Sequence, residues 1–233
     1  QGAHMPESIS ISFDASGCIT LSAGSKEMGT GHGTAYRQIL YDRLGIEPEQ
    51  IHFIDGDTAI VERGTGSFGS RTMVAGGSAA IKASDQVIQQ GKALAAKALE
   101  AAEIDIEFSG GKFRIVGTDK QVSLRELAST DSDGLSVSVT EKVDGPTFPN
   151  GCHVCEIEID PETGMTRLDR YTVVDDVGTV INPLIFKGQM HGGIAQGAGQ
   201  ALMEELVFDE DNGQLISGSL LDYSLPRADD LPL

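Results

Sequence analysis

Glu27-Met28-Gly29-Thr30-Gly31-His32-Gly33-Thr34 places glycine at every second position from Gly29 and opens directly into a helical pattern. Two later stretches repeat its design: Gly64-Thr65-Gly66-Ser67-Phe68-Gly69-Ser70-Arg71-Thr72 and Gln189-Met190-His191-Gly192-Gly193-Ile194-Ala195-Gln196-Gly197. Each sets glycines and short hydroxyl or amide side chains at the start of a helix. Glycine takes positive φ freely and lets the backbone come close to a ligand. A helix start offers unpaired N–H groups and the positive dipole end to an anion. Three such stretches point to a large, phosphate-bearing cofactor gripped from several sides.

Outward from the first stretch, Ile9 to Phe13 and Cys18 to Leu21 alternate apolar and polar residues around Asp14-Ala15-Ser16-Gly17, which reads as a hairpin. Ala35, Tyr36, Ile39, Leu40 and Leu44 fall at helical spacing, and Gly45 is a natural stop. Ile51 to Ile54 reads as a strand. Thr72 to Glu103 reads as a long alanine-rich helix, broken near Gly76-Gly77 and Gly91. Ile104 to Phe108 and Phe113 to Val116 form a second hairpin; Ser123 and Glu126 form the capping box of a short helix; Leu135 to Val139 is a strand. Two long strands follow, Cys152 to Ile159 and Thr166 to Asp175. Asn182-Pro183 then starts a helix that runs past the third glycine stretch toward Glu205. Val207-Phe208, Leu215-Ile216 and Leu220 to Tyr223 read as short strands, and the tail from Pro226 as extended.

Asp144 to Gly151 is the most linker-like stretch. The expected architecture is therefore α+β: two related α/β units of mixed sheets with packed helices, residues 6–145 and 146–233, facing a cofactor cleft lined by glycine-rich helix starts. Residues 1–5 read as a cloning remnant, which removes His4 as a ligand candidate.

Composition narrows the function. A formal net charge of -18, with 35 acidic against 17 basic residues, argues against a nucleic-acid or anionic-membrane surface. A phosphate site stays open, because backbone N–H groups carry no formal charge. With no run of about 18 apolar residues and no signal-peptide pattern, a soluble cytoplasmic protein is expected. Cys152 and Cys155 have metal-like spacing but sit three apart on a strand, pointing to opposite faces. Buried or half-buried strand cysteines are the expectation, with no metal site. Ordinary nucleotide fingerprints fit poorly: Gly31-His32-Gly33-Thr34 lacks a P-loop lysine, and three glycine stretches exceed what a Rossmann unit needs.

The runs Gly64 to Thr72, Phe148-Pro149-Asn150-Gly151, Val174-Asp175-Asp176-Val177-Gly178-Thr179-Val180-Ile181-Asn182-Pro183, Gly188 to Ala201 and Asp222-Tyr223-Ser224-Leu225-Pro226-Arg227-Ala228-Asp229-Asp230 together resemble the molybdenum-binding large subunit of the xanthine oxidase family. Its aerobic carbon monoxide dehydrogenase-like members are the nearest in pattern. The resemblance implies an oxidoreductase that oxidises a small substrate with water as oxygen source. It also implies a molybdopterin cytosine dinucleotide cofactor carrying molybdenum. Cofactor contacts are expected from Gly29, Thr30, Gly31 and His32, from Gly69, Ser70, Arg71 and Thr72, and from Gln189, Gln196 and Gly197. Arg71 suits a phosphate or, equally, a core carboxylate.

Two departures stand out. Thr30 occupies a position where the family pattern has glutamine. The family's catalytic glutamate lies in a Gly-x-Gly-Glu segment beyond the Pro-Arg-Ala-Asp-Asp run, and Leu233 precedes it. The expectation is thus a fragment, inactive and without bound cofactor by itself, with no catalytic residue of its own and faces open to self-association. The expected partners of the whole protein are an FAD-binding subunit and an iron–sulfur subunit. The alternative is an inactive scaffold relative, favoured by Thr30.

Overall fold

The structure is a computed structural model that describes residues 5–61 and 63–232. His4 and most of the reading of residues 1–5 lie outside the described residues. The chain divides into two compact units, residues 1–147 and 148–233.

In the first unit, β1 (Glu7–Phe13) pairs antiparallel with β2 (Ile19–Ala23) and with β7 (Val137–Glu141), while β3 (Ile51–Asp55) runs parallel to β2. The sheet order is β3-β2-β1-β7. Parallel neighbours need a crossover, and α1 (His32–Leu44) supplies it between β2 and β3. Period-two alternation on β1 buries Glu7, Ile9, Ile11 and Phe13 together on one face. Against the core lie Tyr36, Leu40 and Leu44 of α1 and the small Ala79, Ala80 and Ala83 with Val87 of α2 (Ser78–Leu99), all fully buried. Each large apolar side chain removed from water contributes about 1.5–3 kcal/mol, so this layer dominates the unit's stability. Gly45 closes α1 at φ 67°, and the Gly110-Gly111 tip lies where its side chain would go.

A smaller sheet, β4 (Ile106–Ser109), β5 (Lys112–Ile115) and β6 (Gln121–Ser123), is joined to α3 (Leu124–Thr130) by the expected Ser123–Glu126 capping box. The expected break of the long helix at Gly91 is absent. Gly91 lies inside α2 because Phe113 fills the space where a Cβ would stand. At Gly76-Gly77 the winding changes without a break: Thr72–Gly77 is a π-helical turn that runs on into α2.

The second unit contains the antiparallel ribbon of β8 (Asn150–Ile159) and β9 (Thr166–Asp176), with a register irregularity at Glu156/Ile157, and then α4 (Pro183–Leu202). Asn182 caps α4 by accepting from Ile185 N–H at 3.0 Å, with Pro183 in the first turn. Three expectations are corrected here. Leu220 to Tyr223 is a turn tied by Tyr223 N–H to Ser219 O at 2.8 Å, and only an isolated Phe208–Leu215 bridge remains of the short strands. The tail carries a 3₁₀ turn at Ala228–Asp230. Cys18, Cys152 and Cys155 are free and exposed; β8 is exposed along its length because a two-stranded ribbon brings no second layer of its own.

Candidate functional site

The first glycine stretch leaves β2 and crosses to α1 with Gly29 at φ 91° and Gly31 at φ 78°. That geometry turns the loop amides inward onto one carboxylate. Glu27 Oε1 accepts from the N–H groups of Met28 (3.1 Å), Gly29 (3.0 Å), Thr30 (2.8 Å) and Gly31 (3.0 Å), and Oε2 from Gly33 (3.2 Å). The loop is an anion-binding nest at a helix start, and the chain's own Glu27 fills it. These backbone donors, read from sequence as phosphate ligands, face Glu27 instead. The nearest anion along the chain needs little additional ordering to occupy them.

Partial burial opposes ionisation of Glu27. The amides of Gly33, Gly31 and Thr30, with neighbouring His32, outweigh it and hold the carboxyl below its ordinary value of 4.5. A depressed folded-state value stabilises the fold above the unfolded value, and that stabilisation is lost as pH falls through the folded one. Glu27→Gln is therefore expected to cost about 1–2 kcal/mol near neutrality. The difference from the unvaried chain should shrink as pH falls below 4.5, in denaturation curves taken across pH. A cost independent of pH over that window would show that the charge of Glu27 is not what the amides hold.

Thr30 and His32 connect this loop to the second. Thr30 Oγ1 hydrogen-bonds His32 Nε2; Ser67 Oγ lies 3.5 Å from the same nitrogen and 2.8 Å from Thr72 Oγ1. His32 is 5% exposed, and its Nδ1 is buried with no hydrogen-bond partner. Below the cluster, Tyr36 donates to Thr72 O (3.2 Å) and its hydroxyl meets Ser25 Oγ (3.0 Å). Burial pushes the Tyr36 phenol up to about 12, so it stays a neutral donor. Gly76 leaves the space that the phenol occupies. Of the sequence-derived candidates, Thr30, His32 and Thr72 come together. Ser67, Tyr36 and Glu27 complete the cluster; Ser67 was legible only as one hydroxyl in a glycine run.

Arg71 faces a carboxylate, the second of its two sequence readings. Its side chain is fully buried, Nη1 pairs with buried Glu7 and reaches Gly66 O (2.6 Å), and Nη2 reaches Met5 O (3.1 Å) and Pro6 O (2.8 Å). Gly69 and Ser70 just before it both hold φ 58°.

The third stretch is corrected most. Gln189 to Gly197 is the interior of α4, not a helix start, because Asn182-Pro183 caps the helix two turns earlier. Its N–H groups beyond the first turn are spent on helix hydrogen bonds. What it presents are exposed Gln189 and Gln196, seven residues apart on one helix face, with exposed Gly197 beside them. Asp176 serves the turn after β9, accepting from Gly178 N–H at 2.9 Å, and Asp175 lies 3.4 Å from His153 Nε2. Among the described residues, no group of three or more His, Cys, Asp or Glu side chains could hold a metal ion, and no helix is long and apolar enough to cross a membrane.

Comparison with known proteins adds the following. The molybdopterin cofactor-binding domain family matches residues 1–232. The gamma subunit of the 6-hydroxypseudooxynicotine dehydrogenase complex of Paenarthrobacter nicotinovorans is 36% identical over 99% of this chain and 30% of its own length. The carbon monoxide dehydrogenase large chain of Hydrogenophaga pseudoflava is 33% identical, again over 99% and 30%. Among solved structures, the reconstituted CO dehydrogenase from Oligotropha carboxidovorans superposes with a TM-score of 0.89 at 32% identity, covering 97% of this chain and 29% of that one. Quinoline 2-oxidoreductase from Pseudomonas putida 86 gives 0.86 at 33% identity, covering 97% and 30%. The chain thus spans about a third of the length of the relatives it matches. With the mixed α/β architecture and the glycine loops already in place, the chain belongs to the molybdopterin cofactor-binding domain family found in the large subunits of carbon monoxide and xanthine dehydrogenases.

Proposed function

We propose that this chain is part of the cofactor-binding large subunit of a molybdenum hydroxylase, an enzyme that oxidises a small substrate with water as oxygen source. The cofactor would be the cytosine dinucleotide form of molybdopterin. The observation that carries the reading is the joined first and second loops. Thr30 and Ser67 hydroxyls meet His32 at Nε2, Thr72 joins through Ser67, the buried Nδ1 of the same ring lacks a partner, and Gly29 and Gly66 leave open space at positive φ. An orphaned buried donor or acceptor is costly until something meets it, so the cluster fits a polar group held by hydrogen bonds. Thr30, His32 and Thr72 would hold it here, with Ser70 on the same loop. Gln189 and Gln196 supply side-chain amides rather than helix-terminal N–H groups. Bound there, the group supplies the redox chemistry; these residues bind and orient it.

Few anchors remain in these 233 residues, since Glu27 takes the first loop's amides. The chain on its own is therefore expected to carry the cofactor well below one per chain. Electrons would pass to an FAD-binding and an iron–sulfur subunit in a cytoplasmic complex. Exposed Leu184, Leu220 and Leu221 in the second unit suit contact with further protein, or self-association without it. The test is metal analysis and acid release of nucleotide from the large subunit that contains this sequence, purified from a molybdopterin-producing host. About one molybdenum and one cytosine nucleotide per subunit is the expected result for a dinucleotide cofactor. Finding neither would overturn the reading.

A further inference from the structure

Arg71 and Glu7 form a fully buried ion pair that the chemistry of the site does not call on. Arg71 carries the charge expected of a phosphate ligand, yet none of its side chain reaches solvent. Its guanidinium meets the Glu7 carboxylate and the backbone carbonyls of Met5, Pro6 and Gly66. These partners come from two places: the entry to β1, and the second glycine loop itself. The loop is fixed to the same strand a second time, by Thr65 Oγ1 donating to Pro6 O at 3.0 Å. At its base, Gly64 lies so close to Gly24 that neither has room for a Cβ, and Gly24 closes over the Glu7 carboxylate.

The same loop holds Gly69 and Ser70 in the left-handed region, a conformation a serine takes only when its surroundings over-determine it. Thr72, directly after Arg71, is the loop's link to Ser67 and through it to His32. Of the two residues adjoining Arg71, Ser70 holds the loop's left-handed turn and Thr72 makes its link to the cluster.

We infer that Arg71 is a positioning residue: anchored on Glu7, it clamps the second glycine loop to β1 and sets the backbone of Gly69 to Thr72, so that it governs cofactor retention without touching the cofactor. The clamp's value for retention rests on the molybdopterin reading above; the clamp itself does not. Lysine could keep the charge opposite Glu7, but a single ammonium cannot reproduce a planar fork over several carbonyls. A double replacement, Glu7→Met with Arg71→Met, removes both charges together. Exchanging a buried pair for apolar groups of similar volume is commonly tolerated, whereas removing one partner is not.

The deciding experiment compares amide hydrogen exchange in the unvaried 233-residue chain, in the double methionine variant and in Arg71→Lys. Exchange of residues 64–72 is expected to rise at least about tenfold in both variants while β1, β2 and α1 keep their protection. A role in overall stability alone would shift the sheet and the loop together. The same substitutions in the large subunit that contains this sequence should lower bound molybdenum and cytosine nucleotide several-fold. Unchanged exchange at 64–72 in a folded variant overturns the clamp, and Arg71→Lys answers the question if the double variant does not fold. Raised loop exchange with undiminished cofactor overturns the positioning role. If the unvaried subunit holds no molybdopterin, the functional reading fails, and loop exchange still decides the clamp.

Discussion

Glu7→Ala is expected to lower the unfolding free energy of the chain by about 3–5 kcal/mol, the usual cost of breaking a buried ion pair from one side. Glu7 and Arg71 side chains are both fully shielded from water. Glu7 is a charged partner of Arg71 inside the fold, and the carbonyls of Met5, Pro6 and Gly66 beside it are neutral dipoles. Set against total domain stabilities of about 5–15 kcal/mol, a loss of this size removes a large share of the margin. Glu7→Gln keeps the shape and one acceptor oxygen, so it should cost less than alanine. The measurement is the urea midpoint followed by far-UV circular dichroism, since the chain has no tryptophan to report on the core. The slope should stay unchanged, which marks altered stability rather than altered compactness. A loss under about 1 kcal/mol for Glu7→Ala would mean that water or the other partners of Arg71 hold it as well as Glu7 does.

Phe113→Ala should destabilise the first unit by a similar amount, about 3–5 kcal/mol. Phe113 is fully buried, its ring lies 4.7 Å from that of Phe108, and its edge occupies the space above Gly91 in α2. It is thus a side chain through which the small sheet packs on the long helix. Cutting it back leaves a cavity bounded by a helix backbone that cannot collapse into it. Gly91→Ala alone forces a methyl into the same space and is expected to cost about 1–3 kcal/mol by overpacking, set against about 1 kcal/mol gained in helix propensity. In the Phe113→Ala background that methyl has room. The two substitutions should then be markedly non-additive in a double-mutant cycle by equilibrium denaturation. Strict additivity would show that Gly91 and Phe113 are not each other's constraint.

Much of the fold was legible because it follows from local rules. The alternation of Ile9 to Phe13, the helical spacing from Ala35 to Leu44, the Ser123–Glu126 capping box and the Asn182-Pro183 start each depend on residues within a few positions of one another. The third glycine stretch misled as an anion site, not as a helix: Gln189 to Gly197 has the composition of a glycine loop, but it lies within the helix that Asn182-Pro183 starts, so its amides are already bonded. Gly91 misled in the same way: a glycine that reads as a breaker is there to admit Phe113, 22 residues further on.

The site divides along the same line. The sequence by itself determined the glycine loops, the residue types at the cluster and the family pattern that joins them, since these are written in contiguous residues. Only the tertiary structure decided where the charges went. Glu27 turned inward to fill the first loop's amides, and Arg71 turned away from any ligand to meet Glu7 across 64 positions of chain. The physical reason is that a charge settles wherever folding brings it an opposite charge or a set of aligned dipoles out of water. That pairing depends on distances in space, which separation along the chain does not encode.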